Sequence, residues 1–196
     1  MMPVTYTNRK GRTYYLCQGV TKTGKPRYYF AREPKGKPVD LIPEGYEISE
    51  SVNGIVSLAK IRPIKVLPEE VTAVEAEVER HPRARNYRVS VKGDRITVHE
   101  RVGTDPEKLS LRLKGFGLMV SGQGDHLREL LDSRAQFSPV LRFILSDEAA
   151  RTFRTERWCY LGSIDDWISV GPVGPVGRLA RQWIPKLGTE ALFEVY

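Results

Sequence analysis

Soft and imidazole metal ligands are almost missing from this chain: its 196 residues hold two cysteines and three histidines. Cys17, His81, His99, His126 and Cys159 are so spread that no two have the roughly two- to five-residue spacing of a structural zinc site, so no metal or other cofactor is expected. Each cysteine sits in a strand-like run flanked by aromatic or aliphatic residues, which predicts buried free thiols rather than a disulfide. Long apolar runs are missing too. No stretch approaches the ~18 apolar residues of a spanning helix, and residues 1–10 lack the apolar segment of a secretory signal, so a cytoplasmic protein without membrane contact is expected. No Gly-Lys-Ser or Gly-Lys-Thr closes a glycine-rich run, which excludes a Walker-type phosphate loop. Gly115-Phe116-Gly117 and Gly122-Gln123-Gly124 read instead as a flexible connection, and Gly24-Lys25-Pro26 as a hairpin tip.

Acid is scarce where base is dense. In the first forty residues nine cations, Arg9, Lys10, Arg12, Lys22, Lys25, Arg27, Arg32, Lys35 and Lys37, face only Glu33 and Asp40, which accounts for the whole formal charge of +7. Beyond residue 40 the 22 basic and 22 acidic residues balance. Tyr6, Tyr14, Tyr15, Tyr28, Tyr29 and Phe30 are threaded through the same stretch, a combination suited to phosphate and base contacts. The stretch reads as a hairpin, Thr13 to Gln18 and Arg27 to Arg32 being β-rich runs on either side of a loop from Gly19 to Pro26. Period-2 alternation puts Tyr14 and Leu16 on one face and Tyr15 and Cys17 on the other, and likewise sets Tyr28 and Phe30 against Tyr29 and Ala31. One face is expected to be buried and the other to carry tyrosine rings beside Arg12, Lys25 and Arg27.

Further along, Tyr46 to Glu50 and Ile55 to Lys60 form a second hairpin around Val52-Asn53-Gly54. A helix is expected over Leu67 to Arg80, where Pro68 suits the first position, Glu69 and Glu70 complement the positive end, and Leu67, Val71, Val74 and Val78 make one apolar stripe. Tyr87, Val89 and Val91, then Ile96 and Val98, alternate about a turn at Lys92-Gly93-Asp94. Leu109, Leu111 and Leu113 look like a strand, as does Phe116 to Val120. Leu127 to Arg134 reads as a short helix capped by Asp125, and Val140 to Leu145 and Thr152 to Tyr160 as strands. Gly171-Pro172-Val173-Gly174-Pro175 reads as a linker. It leads into a helix through Val176, Leu179, Ala180, Trp183 and Leu187 that Pro185 shortens, and Leu192 to Tyr196 reads as a terminal strand. The fold class is therefore α+β: antiparallel hairpins with a few packed helices. The turn-like, charged run at residues 81–85 offers a boundary between two small lobes, 1–82 and 83–196.

Candidate chemistry is sparse. Asp165-Asp166 is one acidic pair that a magnesium-dependent hydrolase or nuclease would draw on, with Glu156 and Asp147 in the same lobe. Adjacent aspartates point to opposite sides of a strand, and Ser163-Ile164-Asp165-Asp166 more readily starts a helix or turn, so no catalytic residue is assigned. The amino-terminal hairpin is the stronger lead: a β-ribbon laid along DNA or RNA, with Arg9, Lys10, Arg12, Lys22, Lys25 and Arg27 on phosphates and Tyr15, Tyr28 and Tyr29 available for stacking. A module docking an acidic protein partner is the alternative, since Tyr and Arg are favoured interface anchors.

The runs Tyr6 to Leu16 and Gly24 to Phe30, with Arg157-Trp158-Cys159-Tyr160 and Ser163-Ile164-Asp165-Asp166-Trp167, resemble a set of uncharacterised bacterial proteins over most of the chain. That resemblance implies no activity.

Overall fold

The computed structural model describes residues 3–34, 36–103, 105–116, 129–161 and 164–194. The fold is α+β, and the chain divides into two compact units, Met1–Arg62 and Pro63–Tyr196. The boundary thus lies about a helix earlier than the sequence suggests. The helix expected in the first lobe buries Val74 and Val78 in the core of the second.

The first unit is built of hairpins. Strands β1 (Thr5–Thr7), β2 (Thr13–Val20) and β3 (Pro26–Ala31) pair antiparallel in that order, and β4 (Lys37–Pro38) pairs β2 beyond the end of β1. Strands β5 (Tyr46–Glu50) and β6 (Val56–Lys60) form a separate antiparallel pair. Three of the connections share one five-residue turn, at 8–12, 21–25 and 51–55. In each, the backbone N–H of the first residue reaches the carbonyl of the fifth, and the glycine at the fourth position donates back to the first. Asn8, Thr21 and Ser51 open the three turns, and their side-chain oxygens accept the N–H of Arg12, Lys25 and Ile55 at 2.9, 3.0 and 3.1 Å. Gly11, Gly24 and Gly54 adopt φ of 69°, 80° and 75°, the left-handed region that a side chain resists. At 51–55 only the glycine of Asn53-Gly54 goes left-handed, so this is a three-residue loop with a bulge rather than the two-residue turn that Asn-Gly favours.

A Cβ at residue 24 meets nothing within 4 Å, whereas one at residue 54 would stand 3.0 Å from Asn8 Nδ2. Gly24→Ala should therefore cost about 1–2 kcal/mol from backbone strain alone, and Gly54→Ala distinctly more. Chemical denaturation of the two variants side by side checks the order.

The expectation of one buried and one open hairpin face does not hold. Leu16 and Cys17 point to opposite faces of β2, yet both are fully buried, so both faces of this strand are covered at these positions.

The second unit is a five-stranded antiparallel sheet in the order β11-β10-β9-β8-β7, formed by β7 (Tyr87–Lys92), β8 (Arg95–Val102), β9 (Gln136–Asp147), β10 (Thr152–Leu161) and β11 (Ile164–Gly174). Helix α1 (Pro68–Arg80) and the last helix, Val176–Trp183, pack together and cover one face. Val74 and Val78 of α1 and Leu179, Ala180 and Trp183 of the last helix join Ile96, Val98, Leu141, Phe143 and Phe153 in one core. The expected α1 is present with its capping glutamate: Glu70 accepts the Leu67 backbone N–H at 2.8 Å. The last helix gives way to a 3-10 turn at Ile184–Lys186, as Pro185 requires.

Four local expectations are corrected. Residues around Leu109 to Leu113 form helix α2 (Pro106–Gly115) rather than a strand. Leu109 and Leu113 are four apart, which fits a helix as well as alternation fits a strand, and Pro106 favours a helical first turn. Ile164 to Asp166 open strand β11 instead of starting a helix, and the presumed linker Gly171 to Gly174 belongs to the same β11. That strand is an edge, where Pro172 sacrifices no ladder hydrogen bond. Of the terminal strand expected over Leu192 to Tyr196, Leu192 closes a 3-10 turn (Glu190–Leu192) and residues 193–194 are not in a strand. Residues 129–133 are helical, as expected. Of the strand expected over Phe116 to Val120, Phe116 is a turn residue; residues 117–120, the Asp125 cap and residues 195–196 lie outside the described residues.

Candidate functional site

The cations singled out in the sequence fall into two groups at opposite ends of β2. Arg9, Lys10 and Arg12 belong to the 8–12 turn, and Lys22 and Lys25 to the 21–25 turn, with Arg27 following at the start of β3. Eight residues of β2 separate the groups by roughly 25 Å at strand rise. They form a line rather than a single cluster.

The 8–12 turn is tied into the fold. Asn8, almost fully buried, accepts the N–H groups of Lys10 and Arg12 and donates through Nδ2 to the Gly54 carbonyl at 2.6 Å. Glu50 takes Arg9 twice, through the backbone N–H at 3.1 Å and Nε at 2.8 Å, and also accepts the Tyr6 hydroxyl at 2.9 Å. Burial by itself would raise the Glu50 pKa, but the Arg9 backbone N–H, the Tyr6 hydroxyl and the Arg9 guanidinium outweigh it and hold the carboxyl below its ordinary value. The same hydrogen bond to Glu50 is the main cause that raises Tyr6. Arg9 is thus a structural ion-pair partner, and Lys10 likewise has a partner in the fold.

The other end is open. Lys22, Lys25 and Arg27 there, and Arg12 in the 8–12 turn, are exposed and make no ion pair among the described residues. No Asp or Glu occurs before Glu33, so the hairpin has no acid of its own to offset them. Val20, beside the tip, is 73% exposed.

Register sorts the rings. Arg27 stands opposite Gly19 and Tyr29 opposite Cys17, so Tyr15, Tyr29 and Arg27 share a face while Tyr28, opposite Gln18, lies on the other. Tyr29 lies over Gly19, its ring 3.3 Å from where a Cβ would stand. Tyr15, Tyr28 and Tyr29 are all half-buried.

Asp165, Asp166 and Glu156 of the second unit make contacts within the fold. Asp165 Oδ1 accepts the Trp158 indole N–H at 3.1 Å, and Asp166 Oδ1 accepts the Trp167 backbone N–H. Glu156 is held by Arg154 and Arg142 at 2.9 and 2.5 Å, and the Arg142 guanidinium stacks on Trp167 at 4.1 Å. This network, spread over β9, β10 and β11, is invisible in sequence. No group of three His, Cys, Asp or Glu side chains among the described residues is disposed to hold a metal ion. Cys17 and Cys159 are both free and buried.

Two histidines make this unit acid-sensitive. His81 packs edge-on against Tyr87 and accepts the Arg83 N–H through Nδ1 at 3.1 Å, while His99 contacts Ser90 Oγ at 2.9 Å and buries an Nδ1 that has no partner. Burial is the main cause that lowers both pKa values below 6.5. Between the lowered values and the ordinary one, the unfolded chain binds protons that the folded chain refuses, so stability falls as pH drops below about 6.5. Urea midpoints should be lower at about pH 5.5 than at pH 7.5, and His99→Gln should shrink the difference.

No family model matches the chain, and no curated protein or solved structure matches it. The class it defines is a two-unit α+β protein, and among the described residues no helix is long and apolar enough to cross a membrane.

Proposed function

We propose that the amino-terminal unit binds nucleic acid without catalysing a reaction, the β2–β3 hairpin resting on the sugar–phosphate backbone. The observation that carries this reading is the set of four exposed cations, Arg12, Lys22, Lys25 and Arg27, on an element free of acid and unpaired by the rest of the described fold. Half-buried rings favour phosphate contact over base stacking, so binding is read as indifferent to sequence. Four neutralised phosphates give a log–log salt slope near −3.6 on duplex DNA, so affinity should fall about 10²-fold between 50 and 200 mM salt. Fluorescence anisotropy with a mixed-sequence duplex and a single strand tests this; no binding at 50 mM salt removes the reading.

Val20, exposed beside Lys22, favours a second reading, an acidic protein surface that also offers an apolar contact. Partners retained on the immobilised chain after nuclease treatment, and lost with Val20→Ser, would favour it over nucleic acid.

A further inference from the structure

The basic tip of the β2–β3 hairpin also carries two open apolar side chains. From Val20 to Arg27 the chain reads Val-Thr-Lys-Thr-Gly-Lys-Pro-Arg, and no residue of this run is buried. Beyond Gln18, β2 pairs only with β3 among the described residues, so the tip is a two-stranded ribbon. Val20 and Pro26 are cross-strand partners at the base of its turn, and both are exposed, Val20 to 73%.

A single exposed apolar residue is ordinary on a protein surface. Here two stand directly opposite each other on an element otherwise made of Thr, Lys, Gly and Arg. Register places them on the ribbon face that carries Gln18 and Tyr28, and Arg27 on the other face beside Gly19. Lys22 and Lys25 lie in the turn that joins Val20 to Pro26.

The tip is also held in shape. Thr21 N–H donates to the Lys25 carbonyl at 2.8 Å, Gly24 N–H to the Thr21 carbonyl at 3.0 Å, and Lys25 N–H to Thr21 Oγ1 at 3.0 Å. The Pro26 ring fixes φ at the start of β3. A pre-ordered tip gives up little conformational freedom when it enters a partner.

An apolar pair surrounded by cations narrows the choice of partner. Small phosphates would leave the pair in water, and a lipid surface needs far more apolar area than one valine and one proline provide. Single strands are held by aromatic rings stacked on bases, and neither side chain has such a ring. Duplex DNA answers both features: phosphates line the rims of its grooves, and its apolar surface is the face of each base pair, which a side chain reaches by parting a step.

We propose that the tip enters the minor groove of duplex DNA, with Val20 and Pro26 wedged between two base pairs and Lys22, Lys25 and Arg27 on the flanking phosphates, so that the bound duplex is kinked. The inference rests on the nucleic-acid reading of the hairpin. It adds a use for the apolar pair: the duplex is deformed, and no base edge is read.

Energy transfer between dyes on the two ends of a mixed-sequence duplex of about 20 base pairs reports the bend, and 2-aminopurine placed at successive positions reports unstacking. With the duplex saturated at 50 mM salt, a kink of roughly 20–90° should draw the ends together and 2-aminopurine emission should rise. Val20→Ser with Pro26→Ser should abolish both signals yet leave the salt slope of binding unchanged, since no cation is lost. Both positions are exposed, so this variant should fold as the unmodified chain does. Val20→Ile should keep the kink. A saturated duplex that stays straight overturns the inference and leaves the nucleic-acid reading standing, as does binding to single strands alone. A bend that survives the double serine variant overturns it too, since charge neutralisation would then be its cause. Absence of any binding at 50 mM salt removes the inference and the reading together.

Discussion

Phe143→Ala is expected to destabilise the second unit by about 3–5 kcal/mol, the range for deleting a buried aromatic ring from a close-packed core. Phe143 lies on β9, the middle strand of the five, paired with Ile96 on β8 and Thr155 on β10, and is fully buried. It faces the helical layer in one cluster with Val74, Leu179 and Trp183, so the lost ring opens a void bounded by three elements that cannot all collapse. Phe143→Leu, which keeps most of the volume, should cost under about 1.5 kcal/mol. Urea denaturation followed by tryptophan fluorescence measures both. A loss below about 1 kcal/mol for the alanine variant would mean that the helices do not seal the sheet at this point.

Reversing charge at the hairpin tip, with Lys22→Glu, Lys25→Glu and Arg27→Glu together, should lower nucleic-acid affinity about 10²- to 10³-fold at 50 mM salt and flatten the salt slope by about three. All three side chains are exposed and unpaired in the described fold, so stability should change little. Arg12→Glu alone, at the other end of β2, should flatten the slope by about one. If the Arg12 variant binds as the unmodified chain does while the triple variant fails, contact is confined to the tip. Unchanged affinity in the triple variant would remove the hairpin from the interface altogether.

Legibility from sequence followed locality. The hairpins could be read because a polar residue, two variable ones and a glycine set each turn within five residues, and α1 because its stripe and its first-turn acids lie within one element. Strand β11 was hidden because Gly171, Pro172 and Gly174 punctuate it, and an edge strand tolerates what a central strand would not. Leu111, 70% exposed, misled the reading of α2 by filling the alternation between Leu109 and Leu113. At the candidate site the exposed cations were legible from composition, but the neutralisation of Arg9 was not, since Glu50 lies 41 positions away.

The recurrent turn of the first unit also bears on how that unit reaches its native state. Each copy fixes strand pairing by bonds among near neighbours in the chain, so the ribbons can zip on the microsecond timescale of isolated hairpins before any distant contact exists. The join between Asn8 and Gly54, spanning 46 positions, must wait for two preformed ribbons to meet. Contact order therefore divides assembly into fast local closure and one slower docking event, and a mutation at residue 54 should be felt in both.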